Sequence, residues 1–218
     1  MIRLGIETAT DFCSVGLDID GEISVREALA PRRHAELLLP WIRELLADRG
    51  IGFGDIDALA ISRGPGGFTS LRIGLGVVQG VALAQELPIH AVSTLATLAH
   101  AADPQARAGH VLAVLDARMS EVYAGFFESR GGAHVAIASE VVLPPRQLVL
   151  PHPGPWLAAG SGLASYGDEL DGVFGEAVSE RCPDIWPNAR SVLALADTVE
   201  PVAAWELEPK YVRNEVTG

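Results

Sequence analysis

Ser62-Arg63-Gly64-Pro65-Gly66-Gly67-Phe68-Thr69-Ser70 is the stretch on which the fold turns, because of what stands on either side of it. Ile56 to Ile61 before it reads as a buried strand, and Ile73 to Gln85 after it contains no charged residue. The spacing predicts strand, tight loop, helix. Clustered glycines permit positive φ and let the backbone approach a neighbour closely, and Thr69 or Ser70 is placed to cap the helix. That helix holds Gly74, Gly76 and Gly80, each costing about 1 kcal/mol of helix propensity against alanine. Apolar residues surround it, so the reading is a helix with protein on both sides.

Upstream, Arg3–Glu7, Ser14–Ile19 and Glu22–Ala28 read as three short strands, with Asp20-Gly21 as a hairpin turn. A helix is expected from Arg33 to Arg49, closed by Gly50, with Pro40 predicting a kink or a late start. Downstream come a strand at Ile89–Val92 and a helix capped at Ser93 or Thr94. A second half then restarts the pattern, with strands at His110–Asp116, Glu121–Glu128 and Val135–Val142. Each half opens with an apolar strand ending in an acid, Glu7 or Asp116. Two related α/β lobes are therefore expected, over residues 1–100 and 101–218. Trp156–Gly160 reads as a strand, Asn188–Thr198 as a capped helix, and the tail from Pro209 as short and polar.

The chain of 218 residues is long enough for a substantial core. Its formal net charge of −12 opposes autonomous nucleic-acid binding, which needs a basic footprint. Cys13 and Cys182 match no zinc or redox spacing, and a reduced compartment is the default. The opening residues Ile2–Ile6 read as a strand and not as a basic segment with an apolar signal core. Residues 73–85 are too short to span a membrane. A soluble, cytoplasmic protein is expected.

Gly5-Ile6-Glu7-Thr8-Ala9-Thr10, the run from Ser62 to Gly74, and Pro209-Lys210-Tyr211-Val212-Arg213 together resemble the TsaB (YeaZ) family of bacterial tRNA threonylcarbamoyladenosine synthesis. The resemblance runs over nearly the whole chain, and the glycine-rich loop is its most specific element. It implies a two-lobed actin/sugar-kinase-like (ASKHA) α/β fold, with a duplicated β-meander plus helices in each lobe. It also implies a non-catalytic partner of the related transferase TsaD, working with the ATPase TsaE. That system modifies the adenosine beside the anticodon, and tRNA would be met only indirectly, through the complex. No cofactor is implied. The catalytic relative binds metal through a His-x-x-x-His pair, and here Thr94 and Leu98 stand where those histidines would be needed. An aliphatic side chain supplies no ligand atom.

Candidate sites divide accordingly. Glu7, Thr8 and Thr10, with Asp116 of the second half, are the nucleotide-binding candidates. Ala9 fills the place where such a turn usually has glycine, and the hydroxyls can instead satisfy their own turn. The Gly64–Gly67 loop lacks the Gly-Lys-Ser/Thr ending of a P-loop, and Pro65 removes an amide donor, so a structural turn is favoured. His34-Ala35-Glu36 lacks HExxH spacing.

On the Ile73–Gln85 helix, Ile73, Val77, Val81 and Ala84 form one apolar stripe and Leu71, Leu75, Val78 and Ala82 another. The expected partner interface is Leu38, Leu39, Ile42 and Leu46 on the preceding helix with Leu71, Leu75, Gly76, Val78, Gly80 and Ala82 on this one. Without the partner the same patch predicts a homodimer. The rival readings are an actin-fold ATPase or phosphotransferase working near Glu7 and Asp116, and a metal-dependent glycoprotease-like enzyme.

Overall fold

The computed structural model describes residues 1–212, so Arg213 of the C-terminal motif lies outside the described residues. Its contacts divide the chain into two compact units. The first contains Met1–Thr97 and Pro187–Lys210, and the second contains Leu98–Trp186. The expected boundary near residue 100 falls between Thr97 and Leu98, and the segment from Pro187 returns to the first unit instead of completing the second.

In the first unit β1 (Ile2–Glu7), β2 (Phe12–Ile19) and β3 (Glu22–Leu29) form an antiparallel meander. Asp20 and Gly21 at the second turn have φ of 51° and 93°, the double positive φ of a tight hairpin. β4 (Ala58–Ser62) then pairs parallel with β1, and β5 (Ile89–Val92) parallel with β4. The sheet order is β3-β2-β1-β4-β5.

The second unit repeats this plan. β6 (His110–Arg118), β7 (Glu121–Arg130) and β8 (Ala133–Ala136) form the meander. β10 (Trp156–Ala159) and β11 (Val178–Cys182) add in parallel on the other side of β6. β9 (Val141–Leu143) also pairs with β7. The expected single strand Val135–Val142 is thus two pieces laid along successive lengths of one neighbour, with Ile137 N donating to Phe126 O between them. A β-meander extended by parallel strands, the duplicated plan expected of the α/β fold, is present in both units.

The helices are α1 (His34–Asp48), α2 (Phe68–Gln85), α3 (Thr94–Ala102), α4 (Ser161–Phe174) and α5 (Ala189–Leu195). Pro40 sits inside α1 without delaying its start. The carbonyl it leaves unpaired, that of Glu36, belongs to an exposed residue on the solvent side of the helix. α2 begins earlier than expected, with Gly67 at its N-cap, so neither Thr69 nor Ser70 caps it; Ser70 Oγ instead donates to Gly67 O at 3.2 Å. Ser93 does cap α3, accepting from Leu95 N and Ala96 N. Asn188 caps α5, accepting from Ser191 N at 3.0 Å.

The first sheet is covered on both faces because its residues alternate in direction. Leu4, Ile6, Val15, Leu17, Leu59 and Ile61 meet α1 and α2. The other face carries Gly5, Gly16 and Ala60, against Val192, Leu193 and Ala196 of the returning segment. Gly5 and Gly16 are cross-strand partners, and together they form the notch that receives Leu193. A Cβ on Gly5 would lie 2.6 Å from Leu193 Cγ. Gly5→Ala should therefore lower stability by about 1–3 kcal/mol in urea unfolding. The same change combined with Leu193→Ala should cost less than the sum of the two single changes, since the clash is shared.

Candidate functional site

β1, β4 and β5 run parallel and end near Glu7, Ser62 and Val92, the edge at which open α/β sheets hold ligands. Here that edge is closed by its own chain. Glu7 and Thr8 have no exposed surface. Ala9 N donates to Glu7 Oε1 at 2.6 Å, and Gly67 N donates to Ala9 O at 2.7 Å. A Cβ on Gly66 would run into Ala9 O, and one on Gly74 into Thr8 Oγ1. Gly64, at φ +113°, has Lys210 O 2.6 Å from where its Cβ would be, while Lys210 N donates to Arg63 O at 2.7 Å. The glycines of the loop thus admit the β1–β2 turn and the C-terminal segment, which is the structural role.

Burial lifts the Glu7 carboxyl to a pKa of about 7, against the opposite pull of the Ser62 hydroxyl and the Ala9 N–H. Glu7 Oε2, Thr8 Oγ1 and Thr94 Oγ1 find no hydrogen-bond partner among the described residues. Thr10, partly exposed, accepts from Phe12 N at 3.2 Å and so satisfies its own turn. Asp116 belongs to the second unit and is engaged there. It accepts from Arg118 N at 2.7 Å, Arg118 Nη1 at 3.0 Å and Tyr166 OH at 3.1 Å. The nucleotide expectation is corrected at Glu7 and Thr8, whose enclosed side chains present nothing to a bound ligand.

The expected partner interface needs a larger correction. α2 turns Leu71, Leu75, Val78 and Ala82 onto its own sheet, and α1 does the same with Leu38, Ile42 and Leu46. All of these are core, because bulky aliphatic residues sit where the sheet's apolar face must be covered. Leu39, Gly76 and Gly80 remain outward. With them stand the exposed Ala84 and the half-buried Ile73, Val77 and Val81, which also pack against the core, so the other stripe is the more exposed one. A Cβ at Gly76 or Gly80 would meet nothing within 4 Å. The result is an uncharged apolar helix face whose centre is bare backbone. At its N-terminal end Phe68, 59% exposed, lies under the Arg72 guanidinium, 3.5 Å from the ring centroid.

Thr94 and Leu98 are both fully buried. Among the described residues no three His, Cys, Asp or Glu side chains come together as a metal-holding group. No helix among them is long and apolar enough to cross a membrane.

Residues 25–175 match the family model described as TsaD, tRNA N6-adenosine threonylcarbamoyltransferase. Over nearly its full length the chain is 39% identical to the tRNA threonylcarbamoyladenosine biosynthesis protein TsaB of Escherichia coli, covering 98% of this chain and 95% of that protein. The chain belongs to the TsaB (YeaZ) family. The TsaB of Haemophilus influenzae is 37% identical, over 98% of this chain and 94% of that protein. The solved structure of YeaZ from Pseudomonas aeruginosa superposes with a TM-score of 0.88 at 37% identity, covering 96% of this chain and 99% of that one. Of the stretches that carry the resemblance, Gly5–Thr10 ends in the turn that Gly66 and Gly67 enclose at Ala9, and Pro209-Lys210 belongs to the segment that closes over Gly64.

Proposed function

We propose that this chain serves tRNA threonylcarbamoyladenosine biosynthesis as a non-catalytic subunit that docks onto the TsaD transferase. The observation that carries the reading is the outer face of α2, uncharged from Ile73 to Gln85 and floored by Gly76 and Gly80. Bare glycine backbone lets a second helix approach closely enough for ridges to enter grooves. Leu39 on α1 extends the face. The assembly includes the TsaE ATPase, and tRNA is contacted through the complex, consistent with a chain of net charge −12. In the absence of TsaD the same face closes on a second copy.

Burial of Glu7 and Thr8 and the internal engagement of Asp116 support the non-catalytic role. The reading is tested by co-purification with TsaD of variants on the outer stripe. A charge at Leu75 would not test it, because Leu75 is core and a buried charge there unfolds the lobe. Gly76 and Gly80 are the right ones.

A further inference from the structure

A groove in the first unit runs beside the C-terminal turn of α2. Leu83, Glu86, Leu87 and Pro88 line one side of it, and Val202 and Trp205 the other. Its volume is about 640 Å³, within the range of about 300–1,000 Å³ usual for binding clefts. Trp205 is 79% exposed and Leu83 61%. A tryptophan so placed would ordinarily be mobile, yet its surroundings are fixed. Val202 exchanges backbone hydrogen bonds with Ile89 at 2.8 and 3.0 Å. Gln79 Nε2 donates to Ala204 O at 3.2 Å and to Leu207 O at 3.0 Å. Glu206 Oε2 accepts from Ala203 N at 3.0 Å. Ala204 and Leu207, on either side of the tryptophan turn, are buried. The backbone under the indole is thus ordered before anything binds, which lowers the entropic cost of using it.

The one charged residue among the groove's described lining is acidic. Glu86 lines it, no lysine or arginine is among its described lining residues, and Glu200, Glu206 and Glu208 are exposed in the segment that carries Trp205. An indole face attracts a cation, and arginine most often fills that place. A basic segment complements Glu86, whereas an acidic one would be repelled from it.

We propose that this groove docks a basic segment of a partner protein, with an aliphatic side chain against Leu83 and Leu87 and an arginine or lysine over Trp205 within reach of Glu86. The site differs in chemistry from the outer face of α2, which is uncharged.

The test uses the full ¹⁵N-labelled chain, whose indole N–H resonances come from Trp41, Trp156, Trp186 and Trp205, with Trp205→Phe fixing the assignment. The probe is a pool of capped hexapeptides combining two leucines and two arginines in every order, set against the same pool with glutamates for the arginines. The Trp205 resonance should move and saturate with the arginine pool only. Glu86→Gln should weaken that binding about tenfold, as should raising salt from about 50 to about 500 mM. Equal response to the glutamate pool would overturn the proposal, as would a Trp205 resonance that stays still. In the Gly76→Arg background, which does not dimerise through α2, a Trp205 shift that follows protein concentration without peptide would also overturn it, placing a second copy in the groove.

Discussion

Gly76→Arg and Gly80→Arg should each leave the chain folded and reduce capture of TsaD by at least about 100-fold. Both glycines lie in the regular part of an 18-residue helix, and a Cβ at either has open space around it. Replacing a helical glycine with arginine gains up to about 1 kcal/mol of propensity, or about 2–4 °C in Tm for a protein of this size. The melting temperature should therefore hold or rise. At a docked face the same arginine separates the backbones and buries an unpaired charge, which costs several kcal/mol. A loss of 100-fold corresponds to about 2.8 kcal/mol, so the estimate leaves a margin. Gly172→Arg is the control, since it also stands in a helix with open space, in the second unit. It should gain similar stability and keep TsaD. In sedimentation the isolated Gly76→Arg chain should be a monomer. Undiminished capture of TsaD by both α2 variants would remove the docking reading.

The same helix shows what the sequence could and could not disclose. Its existence was plain from an uncharged run after a glycine loop, and the opening meander from Asp20-Gly21 between alternating strands. Its orientation was not plain, because periodicity identifies an inward face only when the outward face is polar. Both stripes of α2 are apolar, and the stripe through Leu75 and Val78 proved to be core. One signal was available: Gly76 and Gly80 interrupt the outer stripe, whereas Leu71, Leu75 and Val78 make an unbroken bulky row. A core face needs volume, whereas a docking face can do without it. α4 and β11 left little trace. α4 carries Gly162, Gly167 and Gly172, and β11 is an edge strand exposing Ser179, Glu180 and Arg181. The packing of α5 on the first unit was beyond reach for another reason. The notch at Gly5 and Gly16 predicts that something packs close, but nothing local says it is a helix more than 170 residues later.

At the closed strand edge, Glu7→Gln should stabilise the protein in alkaline solution and do so much less in acid. The carboxyl has no exposed surface, and burial raises its pKa from 4.5 to about 7. The sign follows from which state releases the proton first. Below about pH 4.5 folded and unfolded chains both hold it, and Glu7 contributes no penalty. Between 4.5 and 7 the unfolded chain releases the proton while the folded one keeps it, so stability falls as pH rises. Above 7 the penalty is constant, at about 3 kcal/mol. Glutamine keeps the oxygen that accepts from Ala9 N and never ionises. In urea unfolding its advantage at pH 8.5 should exceed that at pH 5.5 by about 2 kcal/mol. Cys13, packed nearby, does not blur this window: burial and then the Glu7 charge push its thiol from 9 up to about 12, so it lowers stability mainly above pH 9. A variant less stable than the parent at pH 8.5 would mean that the folded state favours the carboxylate, reopening this edge as a charged ligand site. A pH-dependent gain would mean that the acid at the end of β1 is tolerated by the fold at a cost in stability, as expected for a turn whose side chains are closed in by Gly66 and Gly74.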